Sequence, residues 1–256
     1  MFDEDHLSYI GRSLKLNYKS WIMMLVSCLV LSYNELFLTM SIIQYVLSIL
    51  YLYLAHRVAH WPIFFLFNRA HIYHHENTDW FSHAIQVCIE ISTLMSPTIL
   101  IYYTNLLGII DPFICLFFTF LYITIHNVNY GYFKINNVHS KHHEDYNVNY
   151  GPEICDIIFK TKYPNNSIEN TDHFIPNIIL STLLVYLIRH YYKNSNNKSH
   201  IKYVSFVVYV IICLIVVISS LKQLLIDINK ESRENVKHFD MKINKIEMLL
   251  HKFVSW

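Results

Sequence analysis

The chain has 256 residues, of which 54% are hydrophobic and 15% charged, and its net charge at pH 7 is +1 with 16 histidines counted as neutral. Soluble domains carry about 25% charged residues, so this composition, with a mean hydropathy of +0.27, argues for lipid as the solvent. A net charge so close to zero argues against nucleic acid as a partner. In chain order, uncharged apolar runs cover 21–34, 36–55, 91–110, 112–133 and 203–220, with a weaker run at 174–188. A helical crossing needs roughly 20 apolar residues. The run at 21–34 is short and that at 174–188 contains Pro176, so each is open to crossing or to lying along the interface. The expected fold is all-α, a polytopic membrane helical bundle.

Outside the runs, the acidic start Met1-Phe2-Asp3-Glu4-Asp5 lacks a secretory pattern, and the first run is expected to be a signal anchor. Residues 194–199, reading Asn-Ser-Asn-Asn-Lys-Ser, form a polar linker. In the charged tail, Leu225, Phe239, Ile246 and Phe253 recur at multiples of seven, as do Val236, Ile243 and Leu250. That stripe fits an amphipathic helix or a short coiled coil. The cysteines Cys28, Cys88, Cys115, Cys155 and Cys213 lack the close pairs of a zinc ribbon or redox motif and are expected to be packing residues. Glycine is scarce, and there is no phosphate-cradling loop.

Three histidine clusters carry the chemistry: His56-x-x-x-His60, His71-x-x-His74-His75 and His139-x-x-His142-His143. Residues three and four apart share a helix face, so each cluster is a one-sided comb of ligands. Neutral imidazole suits iron, copper, nickel and zinc alike. A structural zinc site is satisfied by four ligands, and eight imidazoles therefore suggest two ions close together. Ligands of one centre must also emerge on one side of a bilayer. The runs at 91–110 and 112–133 make an out-and-back hairpin between the clusters, and 21–34 with 36–55 makes another. The N-terminus, all the clusters and the 144–172 loop then share a side with Arg12, Lys15, Lys19, Arg57, Arg69, Lys134, Lys141, Lys160 and Lys162. The positive-inside rule makes that side cytosolic.

In these motifs and their order the chain resembles the fatty acid hydroxylase/sterol desaturase superfamily of membrane non-haem di-iron enzymes, whose hallmark is HxxxH, HxxHH and HxxHH. Asn149-Tyr150-Gly151 and Asp156-Ile157-Ile158-Phe159-Lys160-Thr161 resemble the family's NYG and D-x-x-FGT ending, and the likeness covers roughly 36–161. Lys160 stands where the family has Gly, and the gaps from Gly151 to Asp156 and from His126 to His139 are short. The resemblance implies two iron ions held by the eight clustered histidines, with zinc able to replace iron on purification. It also implies no catalytic group beyond the ligands, and an O2-dependent oxidoreductase that hydroxylates or desaturates a lipid in the endoplasmic reticulum. His126 matches a further family histidine, and His83, eight residues after the second cluster, is another candidate ligand. Asn149 and Asp156 are expected behind the ligands. Glu76, Asp79, Glu144 and Asp145 are open to orienting imidazoles or to being solvated loop charges. No flavin or haem signature is present, so electrons are expected from a separate cytochrome or reductase.

Sterols, sphingolipid acyl chains, fatty aldehydes and alkylglycerols are all handled by members with similar histidine patterns, and the sequence does not choose among them. A membrane metal carrier is the rival from another class, although transporters place polar ligands near the midplane of spans and these clusters lie beyond the ends of apolar runs. A family member that binds metal without turnover is the third alternative. The expected organisation is an N-terminal segment at 1–35, a catalytic core at 36–172, further membrane segments at 173–220 and a tail at 221–256.

Overall fold

The computed structural model describes residues 4–77, 79–104, 110–164 and 167–254, with backbone alone at 4–5, 62, 65–66, 102–104 and 229–254. The chain is an all-α bundle, with no strand among the described residues. Five stretches are long and apolar enough to cross a membrane: Leu38–Ala59, Trp80–Ile101, Pro112–Tyr132, Thr171–Asn194 and Lys198–Ile228. A bent pair at the N-terminus is a sixth candidate. At 1.5 Å per residue, a 22-residue helix such as Leu38–Ala59 spans about 33 Å, enough for the roughly 30 Å hydrocarbon core.

Helices α1 (Glu4–Leu16) and α2 (Tyr18–Leu31) meet at 68°. The break falls at Asn17, whose buried side chain leaves its own helix to donate to the Glu169 carbonyl (2.9 Å) and accept from the Thr171 amide (2.8 Å). Helix α3 (Leu38–Ala59) returns to the same end and is followed by α4 (Phe65–Glu76). The next crossing is α5 (Trp80–Leu94) continued by α6 (Ser96–Thr104), after which α7 (Pro112–Ile123) comes back and widens into a π-helical stretch, Thr124–Tyr132. Both polar helix starts are capped: the Asp79 carboxylate accepts from the Ser82 amide, and Asp111 accepts from the Phe113 amide with Pro112 in the first turn. Short helices α8 (Val138–Glu144) and α9 (Glu153–Ile158) lie between the last two crossings, α10 (Ile175–Asn194) and α11 (Lys198–Val254).

Two expectations shift. The third crossing begins at Trp80 rather than at 91, because Glu90, which ends an uncharged run, is buried inside the bundle at 3% exposure. The run at 174–188 belongs to a full-length crossing: Thr171 meets Ser20 at the histidine end (2.5 Å), while Arg189 donates to the Tyr33 carbonyl (2.6 Å) and Lys193 pairs with Glu35 at the other. Helix α11 returns from there, since its Tyr209 hydroxyl donates to the Ser92 carbonyl and its Asp227 pairs with Arg69 of α4.

The interior mixes aromatic and aliphatic side chains with small and polar ones, while many large apolar side chains face outward, as in a membrane bundle. Phe113, Phe117, Phe118 and Leu121 of α7 form the centre, against Cys28 and Leu31 of α2, Leu52 of α3 and Ile178 and Val185 of α10. Ser20, Ser27, Ser41 and Gln44 are buried too, whereas Leu180, Leu183 and Leu187 of α10 are exposed. Helix α11, 57 residues long, runs unbroken through position 220. Lys222 stands over the Phe81 ring at 5.6 Å, so the stretch just after 220 is held to α4 and α5. Of the heptad-like stripe, Leu225 is exposed; the side chains of Val236, Phe239, Ile243, Ile246, Leu250 and Phe253 lie outside the described residues. All five cysteines are free.

Candidate metal centre

The three histidine clusters meet at the end of the bundle where α3 finishes and α4 and α8 lie across it. Each HxxHH triplet divides its ligands, because neighbouring helical residues point about 100° apart while residues four apart align. From α4, His71 and His75 face one group and His74 the other; from α8, His142 joins the first and His139 the second. The first group is completed by His56 and His60 at the end of α3, and the second by His126 from the π-helical turn of α7. Within each group one ligand nitrogen per residue lies within 4.8 Å of every other.

The Nε2 atoms converge. His60 and His71 are 3.0 Å apart, His60 and His142 3.1 Å, and His71 and His75 3.1 Å. In the second group His126 and His139 are 2.9 Å apart, and His143 is 2.8 Å from His139. The His143 ring also lies 4.2 Å from that of His75, so this residue borders both groups. His83 is half-buried, its ring 5.4 Å from that of His74, and belongs to neither group.

The donor set fits a pair of metal ions. Bare imidazoles packed this way oppose lone pairs, and His56 Nε2, His75 Nδ1 and both nitrogens of His74 are buried without a hydrogen-bond partner, which is rare for buried polar atoms. A cation shared by each group would take one nitrogen from each ring, among them His56 Nε2 and one of the two His74 nitrogens. Nitrogens about 3.0 Å apart are close enough for one ion to reach several of them at once.

The other ring nitrogens are anchored, which fixes the tautomer. His56 Nδ1 donates to the Tyr150 carbonyl (2.7 Å), with the Tyr122 hydroxyl 3.0 Å away, and His142 Nδ1 donates to the Val148 carbonyl (2.6 Å). His71 Nδ1 donates to Gln86 Oε1 (3.0 Å). His126 Nδ1 pairs with Glu90, whose second oxygen accepts from Asn127 Nδ2 (2.7 Å). Burial, reinforced by the neighbouring imidazoles, keeps the rings neutral: it lowers His60 to about 2, His71 and His142 to about 3 and His143 to about 4, and pushes His74, His75 and His139 down for the same reasons. Neutral imidazoles are what a metal ion requires.

Asn149 and Asp156 act one step behind these anchors. Asp156 accepts from the amides of Tyr150 (2.9 Å) and Gly151 (2.7 Å) and from the Thr161 hydroxyl (2.7 Å). It thereby holds the loop whose carbonyl takes the His56 proton, although burial lifts its carboxyl to about 7. Asn149 ties the Val138 carbonyl to the Tyr163 amide, and its φ of +52° with +61° at Gly151 explains an Asn and a Gly around Tyr150. Asp79 caps α5, Glu144 pairs with Lys141 and Asp145 closes its own turn. The helpers that the sequence reading missed, Glu90, Gln86 and Asn127, sit within or beside apolar runs. A lone charge inside a span four residues after a glutamine was the available signal.

Beside the centre lies an apolar cavity between α2, α3 and α7. His56, His126 and His139 form one wall, and Trp21, Leu52 and Phe118 line its depth. A fatty acid hydroxylase family model matches residues 41–161, the segment that carries every histidine of both groups. Neither the curated proteins nor the solved structures contained a match to the chain.

Proposed function

From the membership of residues 41–161 in the fatty acid hydroxylase/sterol desaturase superfamily, we propose that this chain is an O2-dependent di-iron enzyme of the membrane that hydroxylates or desaturates a lipid. The observation that carries the reading is the convergence of histidine nitrogens into two adjoining groups. His56, His60, His71, His75 and His142 hold one ion, and His74, His126, His139 and His143 hold the other. Paired iron, when bound, supplies the oxygen-dependent removal of hydrogen from an unactivated C–H bond, with electrons from a separate cytochrome or reductase.

The chain's own residues do the rest. The depressed imidazoles offer lone pairs at neutral pH, and the Tyr150 and Val148 carbonyls aim His56 and His142. The cavity wall of Trp21, Leu52 and Phe118 lays an alkyl segment against His56 and His126 and excludes water from it. The core at 36–172 is the catalytic unit; the crossings at 173–220 brace it, and the tail from 221 adds no ligand. Basic residues support a cytosolic centre, as in the endoplasmic reticulum: nine stand at the histidine end (Arg12, Lys15, Lys19, Arg57, Arg69, Lys134, Lys141, Lys160, Lys162), against Arg189, Lys193, Lys198 and Lys202 opposite.

Elemental analysis of the purified protein tests the centre, and two ions per chain are expected. Lipid analysis of cells expressing the intact protein beside its His142→Ala form tests the reaction. A product found only with the intact protein names the substrate; the same lipids in both, with both proteins present in equal amount, would overturn the enzyme.

A further inference from the structure

Glu90 stands in the middle of the α5–α6 crossing at 3% exposure, where an ionisable side chain is costly and usually functional. Its contacts run to both histidine groups. One carboxylate oxygen meets His126 Nδ1 and accepts from Gln86 Nε2 (3.0 Å); the other accepts from Asn127 Nδ2 (2.7 Å). Gln86 in turn accepts from His71 Nδ1 through its Oε1 (3.0 Å). The chain His71–Gln86–Glu90–His126 therefore joins a ligand of the first group to a ligand of the second. Gln86 and Glu90 are four apart on α5, on one helical face. The wider π turn of α7 brings the consecutive residues His126 and Asn127 to the two oxygens of one carboxylate.

Charge gives this chain its consequence. Neutral imidazoles bring no negative charge to balance two divalent ions, and a bound ion dominates its local electrostatics. Among the described residues, Glu90 is the carboxylate hydrogen-bonded to an imidazole of either group. A buried carboxylate without a cation is itself costly, so each charge stabilises the other.

We infer that Glu90 is a positioning residue that couples the two metal sites, directly fixing His126 for the second ion and, through Gln86, His71 for the first. The inference rests on the two-ion reading of the centre. It assigns an asymmetry: loss of the carboxylate loosens the second site strongly and the first weakly, whereas loss of the Gln86 amide loosens the first alone.

Full-length protein in detergent, stripped of metal and titrated with Zn²⁺ against a competing chelator, reads both sites without turnover. The intact chain is expected to take two ions. Outer-shell partners contribute about 10–100-fold to metal affinity. Glu90→Leu should accordingly lose about 100-fold at one site and about 10-fold or less at the other, leaving one ion where the intact chain holds two. Gln86→Leu should weaken one site by about 10-fold and leave its neighbour unchanged. Glu90→Gln keeps an acceptor for His126 without the charge, so it should fold as the parent does and lose affinity by an intermediate factor. Replacing Zn²⁺ with Co²⁺ gives a visible spectrum for each site, which a merely structural lesion would not move. Two ions in the intact protein with unchanged affinities in Glu90→Gln and Glu90→Leu would overturn this inference alone. A single ion in the intact protein would overturn the two-ion reading and this inference with it.

Discussion

The two histidine groups share α4 and α8 yet are held by different means. In the first, the anchoring acceptors are the Tyr150 and Val148 carbonyls and the Gln86 amide, two of them from the loop after α8. In the second, His126 rests on a carboxylate buried within a membrane crossing, and both nitrogens of His74 lack a hydrogen-bond partner. The first group therefore depends on a loop outside the apolar runs, and the second on the packing of α5 against α7. Lesions in the two supports should separate the sites, while a ligand lesion in either group should abolish turnover and empty one site.

The largest effect belongs to the ligands. His142→Ala removes a side chain with no exposed surface from the first group, and His74→Ala removes one from the second. Either should lower product formation at least about 100-fold, beyond the 10–100-fold typical of outer-shell partners, and each should reduce metal content from two ions toward one. His190→Ala and His200→Ala, at exposed positions on α10 and α11, should leave both quantities within about twofold. Product per protein and elemental analysis are the measurements; equal loss in the His190 form would break the boundary drawn around the centre.

Acid is the next lever, and it acts on both groups through the same sign. His60, His71, His142 and His143 have folded values of about 2, 3, 3 and 4, below the ordinary 6.5. Between 6.5 and those values the unfolded chain takes up protons that the folded chain refuses, so stability falls as pH falls. Metal-free protein in detergent should lose thermal stability progressively from pH 6.5 toward pH 4. Metal-loaded protein should hold until lower pH, because the ions compete with protons for the same nitrogens. A melting temperature that rises on acidification would mean that the rings bind protons in the folded state.

Damage confined to the first group's support should be smaller. Asp156→Asn leaves the Tyr150 and Gly151 amides with one acceptor in place of two carboxylate oxygens, and a buried unsatisfied donor costs about 1–3 kcal/mol. That loss of stability should come with weaker binding at one site only, since Tyr150 aims His56, a member of the first group. Chemical denaturation with Zn²⁺ titration checks it. Equal weakening of both sites would show that the two supports are not separable.

Much of this was legible in the sequence because helical periodicity turns spacing into direction. The 56/60, 71/74/75 and 139/142/143 patterns required one face per helix, and the out-and-back pairing of apolar runs between them required a common end of the bundle. The division of each triplet between two groups was implicit in its adjacent histidines, which cannot point the same way on a helix. Glu90 stayed hidden because a search for uncharged runs treats a carboxylate as a boundary, whereas here His126, Gln86 and Asn127 make it tolerable inside the crossing. The π turn that delivers His126 leaves no mark in apolar periodicity. The crossing of 174–188 was ambiguous for a simpler reason: Pro176 sits in the first turn of α10, where its missing N–H breaks no hydrogen bond.

The smallest prediction concerns the departure at Lys160. Helix α9 ends in a Schellman arrangement, in which the Thr161 amide donates to the Asp156 carbonyl (2.8 Å) and the Lys160 amide to that of Ile157 (3.2 Å). That geometry requires a left-handed residue after the cap, and Lys160 supplies it at φ +57°, in the place where the resembling motif has glycine. A side chain in this region costs about 1–2 kcal/mol, and glycine gives back about 0.4–1 kcal/mol through the freer unfolded chain. Lys160→Gly should therefore raise stability by about 0.5–1 kcal/mol, or about 1–3 °C in Tm for a chain of this size. Lys160→Ala should gain nothing, because it keeps the Cβ. The same comparison governs its scope: the Asp156 carbonyl belongs to the first group's support, so any change in metal affinity should appear there. A gain in the alanine form equal to that in the glycine form would locate the cost in the lysine side chain, not in the backbone.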